Sequence, residues 1–254
     1  MIVLKSPREI ELMRRAGHVL ADMIDHLRAT VRAGIATLEI DEEVETFIAA
    51  RGARPAFKGY RGFPATVCVS INEEVVHGIP SAHRRLKEGD VVGLDLGCIV
   101  DGYYADCAFT MAIGELPPAV QRLLDVTRES LEAAIAQCRP GRRLGDVSHA
   151  VQAHVEGHGF AVVRTFVGHG IGRALHEEPQ VPNFGEPGRG PQLRSGMVLA
   201  IEPMVTMGSG DVRVLDDGWT AVTRDGSLAA HFEHTVAVTE DGPDVLTRRG
   251  GRST

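Results

Sequence analysis

The chain has 254 residues, a hydrophobic content of 43% and a formal net charge of −7, which allows one large domain or two small ones and argues against a dedicated nucleic-acid binder. Its four cysteines lack C-x-x-C spacing, which argues against a zinc ribbon or a disulfide scaffold. Because no apolar run approaches about 20 residues and the N-terminus lacks the apolar core of a signal peptide, we expect no membrane segment and a cytoplasmic location.

Two helices are predicted at the start of the chain. Ser6 can cap the first helix, Pro7 suits its first position, and Glu9 completes a capping box. Apolar residues then recur at helical spacing. The predicted helices run to about Arg32 and from Thr37 to Arg51, before a glycine.

After the second helix the pattern changes to strands, and the order of helices and strands then repeats. This order is a weak two-fold repeat without a linker or a low-complexity run. We therefore predict one α+β domain over residues 1–254 whose halves resemble each other. The later predicted elements are strands Thr66–Ile71, Asp90–Leu96, Tyr103–Ala112, Met197–Thr206, Val212–Leu215, Trp219–Thr223 and Ala229–Val238, and helices Pro117–Cys138 and Leu144–Glu156.

Two aspartates lie in a predicted hairpin. Its turn, Asp101-Gly102, is a dipeptide typical of two-residue hairpin loops. The turn makes Asp95 and Asp106 diagonal neighbours on one face of the hairpin, roughly 7–8 Å apart at Cα. Such carboxylates can share a cation or a pair of cations, and without one they are costly within an apolar sheet. The alternative is that both face solvent.

A histidine between glycines is the next candidate. Glycines at 168 and 170 let the backbone at His169 bend sharply or pass close to a bulky group. Their spacing does not fit a dinucleotide fingerprint. His176 opens a short acidic run, but Gln180 replaces the second histidine of H-E-x-x-H, so the helical zinc-peptidase mechanism is excluded. A purely structural role for His169 stays open.

Two glutamates lie in otherwise apolar strands. Glu202 ends one apolar run and Glu233 lies within another. Charged groups at such positions are usually paired or metal-bound, although each alone could occupy a partly exposed edge. Together with His169 and the two aspartates they form a hard-to-borderline ligand set, which suits Mn, Fe(II), Co or Zn.

Two other features are interpreted as structural. His154 and His158 stand four residues apart with Glu156 between them, but glycines at 157 and 159 mark a helix end. We predict a capped, partly solvated helix terminus there and no zinc site. The arginine-rich stretch at 248–252 is predicted to be a disordered end.

The candidate residues, in their order and spacing, resemble the methionine aminopeptidase family, which has the pita-bread fold. The resemblance covers nearly the whole chain, and the short interval from His169 to Glu202 is similar to type I, bacterial-style members. It implies a mainly antiparallel curved sheet flanked by two pairs of helices with pseudo-two-fold symmetry. It also implies removal of the initiator methionine when the second residue is small. The most specific stretches are Asn72–Pro80, Gly168–Gly172, His176–Pro179 and Ile201–Pro203.

The resemblance further implies a dinuclear metal centre. Two divalent ions would activate a water molecule as the nucleophile, with Co, Mn, Fe(II), Zn and Ni as candidate metals. Asp95 would chelate one ion, Asp106 and Glu233 would bridge both, and His169 and Glu202 would hold the second.

Residues around the metal centre acquire roles from the same resemblance. Glu202 would shuttle a proton, His176 would hydrogen-bond the scissile carbonyl oxygen, and His77 would contact the scissile amide nitrogen or help to position it. An apolar slot with a thiol suits a thioether side chain. The implied lining of this slot is Tyr60, Phe63, Cys68, His77 and Trp219.

Two departures from the family pattern affect the slot. Leu175 stands where relatives commonly have an aromatic residue, and Phe63 stands where they often have tyrosine. Both keep the slot apolar but can alter its width. The implied partners are the N-termini of nascent polypeptides and, transiently, the ribosome. We expect no nucleic-acid specificity, no membrane and a monomer.

Three rival functions remain in view. An X-Pro aminopeptidase or prolidase would share the five ligands and the fold, but usually carries an extra N-terminal domain. A non-catalytic relative that binds protein or RNA would have lost ligands. A metal-free, creatinase-like hydrolase would also lack the carboxylate set.

Overall fold

The computed structural model describes residues 1–250. Its first helix begins with the predicted capping box: Ser6 Oγ accepts a hydrogen bond from the Glu9 backbone N–H at 3.4 Å, and the Glu9 carboxylate accepts one from the Ser6 N–H at 2.9 Å. None of the helices within residues 1–250 is long and apolar enough to cross a bilayer. All four predicted helices are confirmed, although the third ends at Ile135 and not at Cys138.

The described residues form four α-helices and fifteen short or medium strands. The helices are α1 (Pro7–Thr30), α2 (Thr37–Ala50), α3 (Pro118–Ile135) and α4 (Leu144–Gly157). The strands are β1 (Arg54–Pro55), β2 (Val67–Ile71), β3 (Glu74–Val76), β4 (Val91–Val100), β5 (Tyr103–Ala112), β6 (Ala161–Val162), β7 (Gly168–Gly170), β8 (Glu177–Val181), β9 (Val198–Ile201), β10 (Met204–Thr206), β11 (Val212–Val214), β12 (Ala221–Thr223), β13 (Ala229–His231), β14 (His234–Thr239) and β15 (Gly242–Val245).

The strands form two larger antiparallel sheets and two small ones. One larger sheet joins β1, β4 and β2, with β5 also paired to β4, and the other has the order β15-β14-β9-β7-β8. The small sheets have the orders β13-β10-β6 and β11-β12-β3. Helix α1 packs on the β4–β5 hairpin, and α3 packs on α4. Most of the core is one cluster in which side chains of α1, such as Leu20 and Leu27, are buried together with Leu94 and Leu96 of β4.

Two predicted strands are each interrupted in the structure. Met197–Thr206 is split into β9 and β10 by Glu202 and Pro203, and Ala229–Val238 is split into β13 and β14 by Phe232 and Glu233. Proline has no backbone N–H to donate to a strand ladder, so the first run cannot stay paired at this point. At both breaks the chain passes between the five-stranded sheet and a three-stranded one. Each break therefore presents a glutamate between two sheets.

The C-terminal arginines correct another prediction. Arg248 pairs with Glu132 of α3, and Arg249 pairs with Asp22 of α1 at 2.5 Å. The expected disorder is therefore wrong for Arg248 and Arg249, because acidic side chains on two helices hold them in place. Residues 251 and 252 of the predicted tail lie outside the described residues.

Candidate metal centre and substrate slot

The β4–β5 hairpin places its two aspartates as the turn predicts. The turn residues at 101 and 102 have φ values of 51° and 80°, the left-handed conformation that two-residue hairpin loops need. Asp95 pairs with Ala108, and Asp106 pairs with Gly97. Asp106 is only 4% exposed, so the alternative of two solvent-facing aspartates is wrong.

Backbone and hydroxyl contacts fix the hairpin against the segment from Glu233 to Thr235. The Thr235 hydroxyl accepts a hydrogen bond from the Asp106 N–H at 3.0 Å and donates one to the Asp106 carbonyl at 2.8 Å. The Glu233 N–H donates to the Ala108 carbonyl at 2.8 Å. These contacts bring Asp106 and Glu233, which are far apart in the sequence, close together in the structure.

His169 lies in β7, where one nitrogen of its ring makes a hydrogen bond to the backbone and the other can bind a metal ion. Its Nδ1 is 2.9 Å from the Gly170 carbonyl oxygen, which can only accept, so Nδ1 carries the proton and Nε2 keeps its lone pair. Nε2 lies 3.8 Å from Asp106 Oδ2 and 3.7 Å from Glu202 Oε1. This tautomer is the one that a metal-binding histidine requires.

The glycines beside His169 allow close approach of neighbouring backbone. A Cβ atom on Gly168 would lie 2.3 Å from the Ala200 carbonyl oxygen, and one on Gly170 would lie 2.2 Å from the Glu178 carbonyl oxygen. Neither distance is possible for a real side chain. The glycines therefore let β7 enter between β8 and β9 and bring His169 to the carboxylates.

The carboxylates and His169 fit divalent cations. Asp106, His169 and Glu233 each offer a donor atom, and these three atoms lie within 4.8 Å of one another. Asp95 Oδ1, Asp106 Oδ1 and Glu233 Oε1 are buried without a hydrogen-bond partner. Unpaired buried carboxylate oxygens are costly, and a cation satisfies them. We call Asp95, Asp106, His169, Glu202 and Glu233 the floor of the site.

Burial dominates the electrostatics of the floor. It raises the pKa of Asp95 to about 7 and raises the pKa values of Asp106, Glu202 and Glu233 well above their ordinary range. For Asp106, Glu202 and Glu233, repulsion from neighbouring carboxylates is a further cause. Burial also lowers the pKa of His169 to about 3, so its imidazole is neutral at physiological pH. A cation would reverse the carboxyl shifts, because it favours the ionised form.

All eleven predicted site residues line a single cavity of about 160 Å³. Phe63 is 4% exposed, and its ring meets Trp219 edge-on at a centroid distance of 5.1 Å. Leu175 is 2% exposed, so this departure does lie in the cavity wall. We call the apolar part the slot; it is lined by Phe57, Phe63, Cys68, His77, Leu175 and Trp219.

The open end of the cavity, which we call the mouth, carries Tyr60, Arg61 and His176. The Tyr60 hydroxyl is 2.9 Å from His176 Nδ1, and the two rings stack at a centroid distance of 5.4 Å. Burial lowers the pKa of His176, and the positive charge of Arg61 lowers it further. Burial likewise lowers the pKa of His77 to about 4, with His176 as a second cause. Both histidines are therefore neutral and can each donate one hydrogen bond.

Three residues of the site were not predicted from the sequence. Phe57 and Arg61 line the cavity, and His231 lies beneath it with Nε2 3.7 Å from Glu202 Oε2. His231 stands two residues before Glu233, so strand alternation could have indicated it. No sequence pattern indicated Arg61 as a site residue, because its position in the cavity depends on a local turn.

Comparison with known proteins decides the family. A model described as metallopeptidase family M24 matches residues 11–240 of this chain. The chain belongs to this family. It is therefore a metal-dependent hydrolase of peptide bonds, and use of a divalent metal agrees with the donor set of the floor.

Relatives within family M24 confirm the resemblance found in the sequence. The chain is 51% identical to a methionine aminopeptidase of Clostridium perfringens over 247 residues, which cover 97% of this chain and 99% of that protein. It is 50% identical to methionine aminopeptidase 1 of Bacillus subtilis over 248 residues, with coverage of 98% and 100%.

Solved structures confirm the expected fold. A methionine aminopeptidase from Thermotoga maritima matches with a TM-score of 0.96 and 49% identity, covering 98% of this chain and 100% of that one. A prolidase from Pyrococcus furiosus matches with a TM-score of 0.79 at 22% identity, and the match covers 65% of the prolidase chain. The second likeness shows the shared pita-bread architecture alone.

Proposed function

We propose that the protein removes the N-terminal methionine from new polypeptides whose second residue is small. The observation that carries this proposal is a narrow apolar slot that ends at five convergent metal-type donors. An apolar cavity of roughly 150 Å³ can hold a molecule the size of benzene, so this one suits a single unbranched side chain. The methionine side chain would fill the slot, with its amino group and first peptide bond beside the floor.

The proposed cofactor is a pair of divalent ions, with Co, Mn, Fe(II), Zn and Ni as candidates. When bound, they would polarise the scissile carbonyl group and lower the pKa of a water molecule. The carboxylates outnumber the histidine, which supports hard-to-borderline metals. Asp95 would chelate one ion, Asp106 and Glu233 would bridge both, and His169 and Glu202 would hold the other.

Residues of the mouth and floor would handle the protons and the carbonyl oxygen. With the Tyr60 hydroxyl donating to Nδ1 of His176, Nε2 of His176 carries a proton that it can donate to the scissile carbonyl oxygen as negative charge develops there. Glu202 would accept a proton from the attacking water and pass it to the leaving amine. His77, held edge-on between Phe166 and Trp219, would contact the scissile amide nitrogen.

Steric limits support the selectivity for a small second residue. With methionine in the slot, the second side chain would lie close to the floor, whose donors lie on β4, β5 and β7 and at the two strand breaks. A bulky or β-branched residue there would displace the carbonyl group from the donors. We also propose that the protein acts as a single catalytic domain and monomer in the cytoplasm, in transient association with the ribosome.

The function is tested by methionine release from Met-Ala-Ser. We expect release at a rate well above that from Met-Leu-Ser, loss of activity after chelation, and recovery with Mn or Co. The rival X-Pro activity is tested in the same assay with Ala-Pro substrates. Faster cleavage of Ala-Pro than of Met-Ala-Ser would overturn the proposal, and so would activity that survives complete metal removal.

A further inference from the structure

A positively charged side chain at the mouth has no role in the proposed chemistry. Arg61 lines the cavity, and its side chain is exposed. Its guanidinium carbon lies 5.4 Å from the centroid of the Tyr60 ring. Among residues 1–250 no carboxylate forms an ion pair with it. It is also the only lysine or arginine among the described residues that line this cavity.

The backbone holds Arg61 in place at some cost. Its φ and ψ are 49° and 21°, a left-handed conformation that non-glycine residues seldom adopt. Two hydrogen bonds close the turn around it, from the Gly59 N–H to the Phe63 carbonyl at 2.8 Å and from the Phe63 N–H to the Tyr60 carbonyl at 2.9 Å. A strained arginine in a turn that begins beside the slot motivates a functional hypothesis.

Charge is distributed unevenly along the cavity. The four carboxylates lie at the floor, and the guanidinium charge of Arg61 lies at the mouth, close enough to act on His176. A substrate bound with its N-terminal residue in the slot must leave through the mouth. Its third and fourth residues therefore pass the exposed side chains of Arg61 and His176, since an extended chain advances about 3.3 Å per residue.

We propose that Arg61 selects for substrates with an acidic side chain at the third or fourth position. The selection rests on the proposed function, because it assumes that the N-terminal methionine occupies the slot. An aspartate or glutamate at the mouth gains attraction from Arg61, while a lysine there meets repulsion. Such rim charges act mainly on encounter and on specificity.

Two peptide series test the selection. In Met-Ala-Xaa-Ser and Met-Ala-Ser-Xaa, Xaa is Glu, Gln or Lys, and kcat/KM is measured by methionine release. The readout is the Glu/Lys ratio of kcat/KM within each protein, which cancels any general change in activity. We expect Arg61→Gln to lower the ratio about 2–5-fold in at least one series, the range for an exposed ion pair. Arg61→Glu should lower it further, and Arg61→Lys should retain most of it.

Salt and a matched arginine complete the experiment. At 0.5 M salt the wild-type ratio should fall toward that of Arg61→Gln. Arg173 is 71% exposed, packs over Tyr103 and lies outside the cavity, so Arg173→Gln should leave the ratio unchanged. Equal ratios in wild type and Arg61→Gln in both series would overturn the inference, as would an equal fall in Arg173→Gln. Failure of the wild type to release methionine from Met-Ala-Gln-Ser would instead overturn the proposed function itself.

Discussion

The floor and the mouth of this site are built by opposite means. The floor is formed on paired strands and their junctions, where Asp106, His169 and Glu233 are at most 6% exposed. The mouth is formed by loops, where Tyr60 and His176 hold each other and Arg61 has a left-handed backbone. The floor concentrates buried carboxylates whose ionised form a cation would stabilise. Within the mouth, Tyr60 and His176 serve the proposed chemistry and Arg61 does not, so specificity can change at Arg61 without loss of chemistry.

The largest effect on activity is expected from a substitution in the floor. Asp106→Asn removes a charged oxygen from the centre of the donor cluster. Loss of a group that merely supports a ligand already costs 10–100-fold, so we expect kcat/KM to fall by more than about 100-fold. Metal content per protein, measured by elemental analysis, should fall as well. In excess chelator the variant should melt above the wild type, because a source of buried repulsion is gone.

Another aspartate of the same hairpin provides the control. Asp101 lies in the exposed turn and pairs with Arg15 at 3.5 Å, far from the donor atoms. Asn tolerates the left-handed conformation of this position. Asp101→Asn should therefore keep activity within about 2-fold, as surface ion pairs contribute little. Full activity and full metal content in Asp106→Asn would show that the floor is not the metal centre.

A smaller effect is expected from the slot. Phe63→Ala removes the ring that meets Trp219 and leaves the floor intact. We expect KM for Met-Ala-Ser to rise about 10-fold with a smaller change in kcat, the signature of lost ground-state binding. Phe63→Tyr keeps the ring and should stay within about 3-fold. The Met-Ala-Ser to Ala-Ala-Ser ratio of kcat/KM should fall in Phe63→Ala, and an unchanged ratio would place the methionine side chain elsewhere.

The charge on the floor also predicts an unusual pH dependence for the chelated protein. The pKa of Asp95 is about 7 in the folded state and about 3.9 when unfolded, so its contribution to stability is present at low pH and lost as pH rises through about 7. Buried neutral histidines such as His77, with a pKa of about 4, act oppositely, but only below about pH 6.5. Between pH 6.5 and 8 the carboxyl effect stands alone.

We therefore expect the melting temperature in chelator to fall by several degrees from pH 6.5 to pH 8. Added Mn should abolish the fall, because bound cations favour the ionised carboxylates. Thermal unfolding with and without chelator measures both. The fall should shrink in Asp106→Asn. A chelated wild type that gains stability over this pH range would contradict the assigned burial of the carboxyl groups.

Only some residues of the floor could be predicted from the sequence without the family resemblance. Asp95 and Asp106 follow from one turn and one register, because both lie within a local hairpin. His169 on β7 and Glu202 and Glu233 at the strand breaks converge through pairing that spans long stretches of chain, so local pattern could not bring them together. Their assignment required the family resemblance. Pro203 is a local signal for the first strand break, but only tertiary structure shows that the chain changes sheets at both breaks.

Even fewer residues of the mouth could be predicted from the sequence. Tyr60 entered through the resemblance, and Arg61 was missed. A left-handed arginine between Tyr60 and Gly62 is not encoded by hydrophobic periodicity, and its exposure depends on how the loop closes on Phe63. Loops of this kind hold residues in place by turn hydrogen bonds, which single-sequence patterns do not report.

The smallest effect is expected from substitutions of His154 and His158, a histidine pair that resembles a metal site in sequence spacing. His154 and His158 lie at the end of α4 with rings 4.6 Å apart, and His154 Nε2 is 3.3 Å from the Glu129 carboxylate. His158 Nδ1 donates to the His154 carbonyl at 2.7 Å, which is a helix-terminal contact. Replacing both with Gln should leave metal content and kcat/KM unchanged and cost no more than about 1 kcal/mol of stability. A fall in metal content would show that these histidines bind metal. We expect none, because Glu129 is half-exposed and water already solvates its charge, whereas Asp106 and Glu233 of the floor are buried away from water.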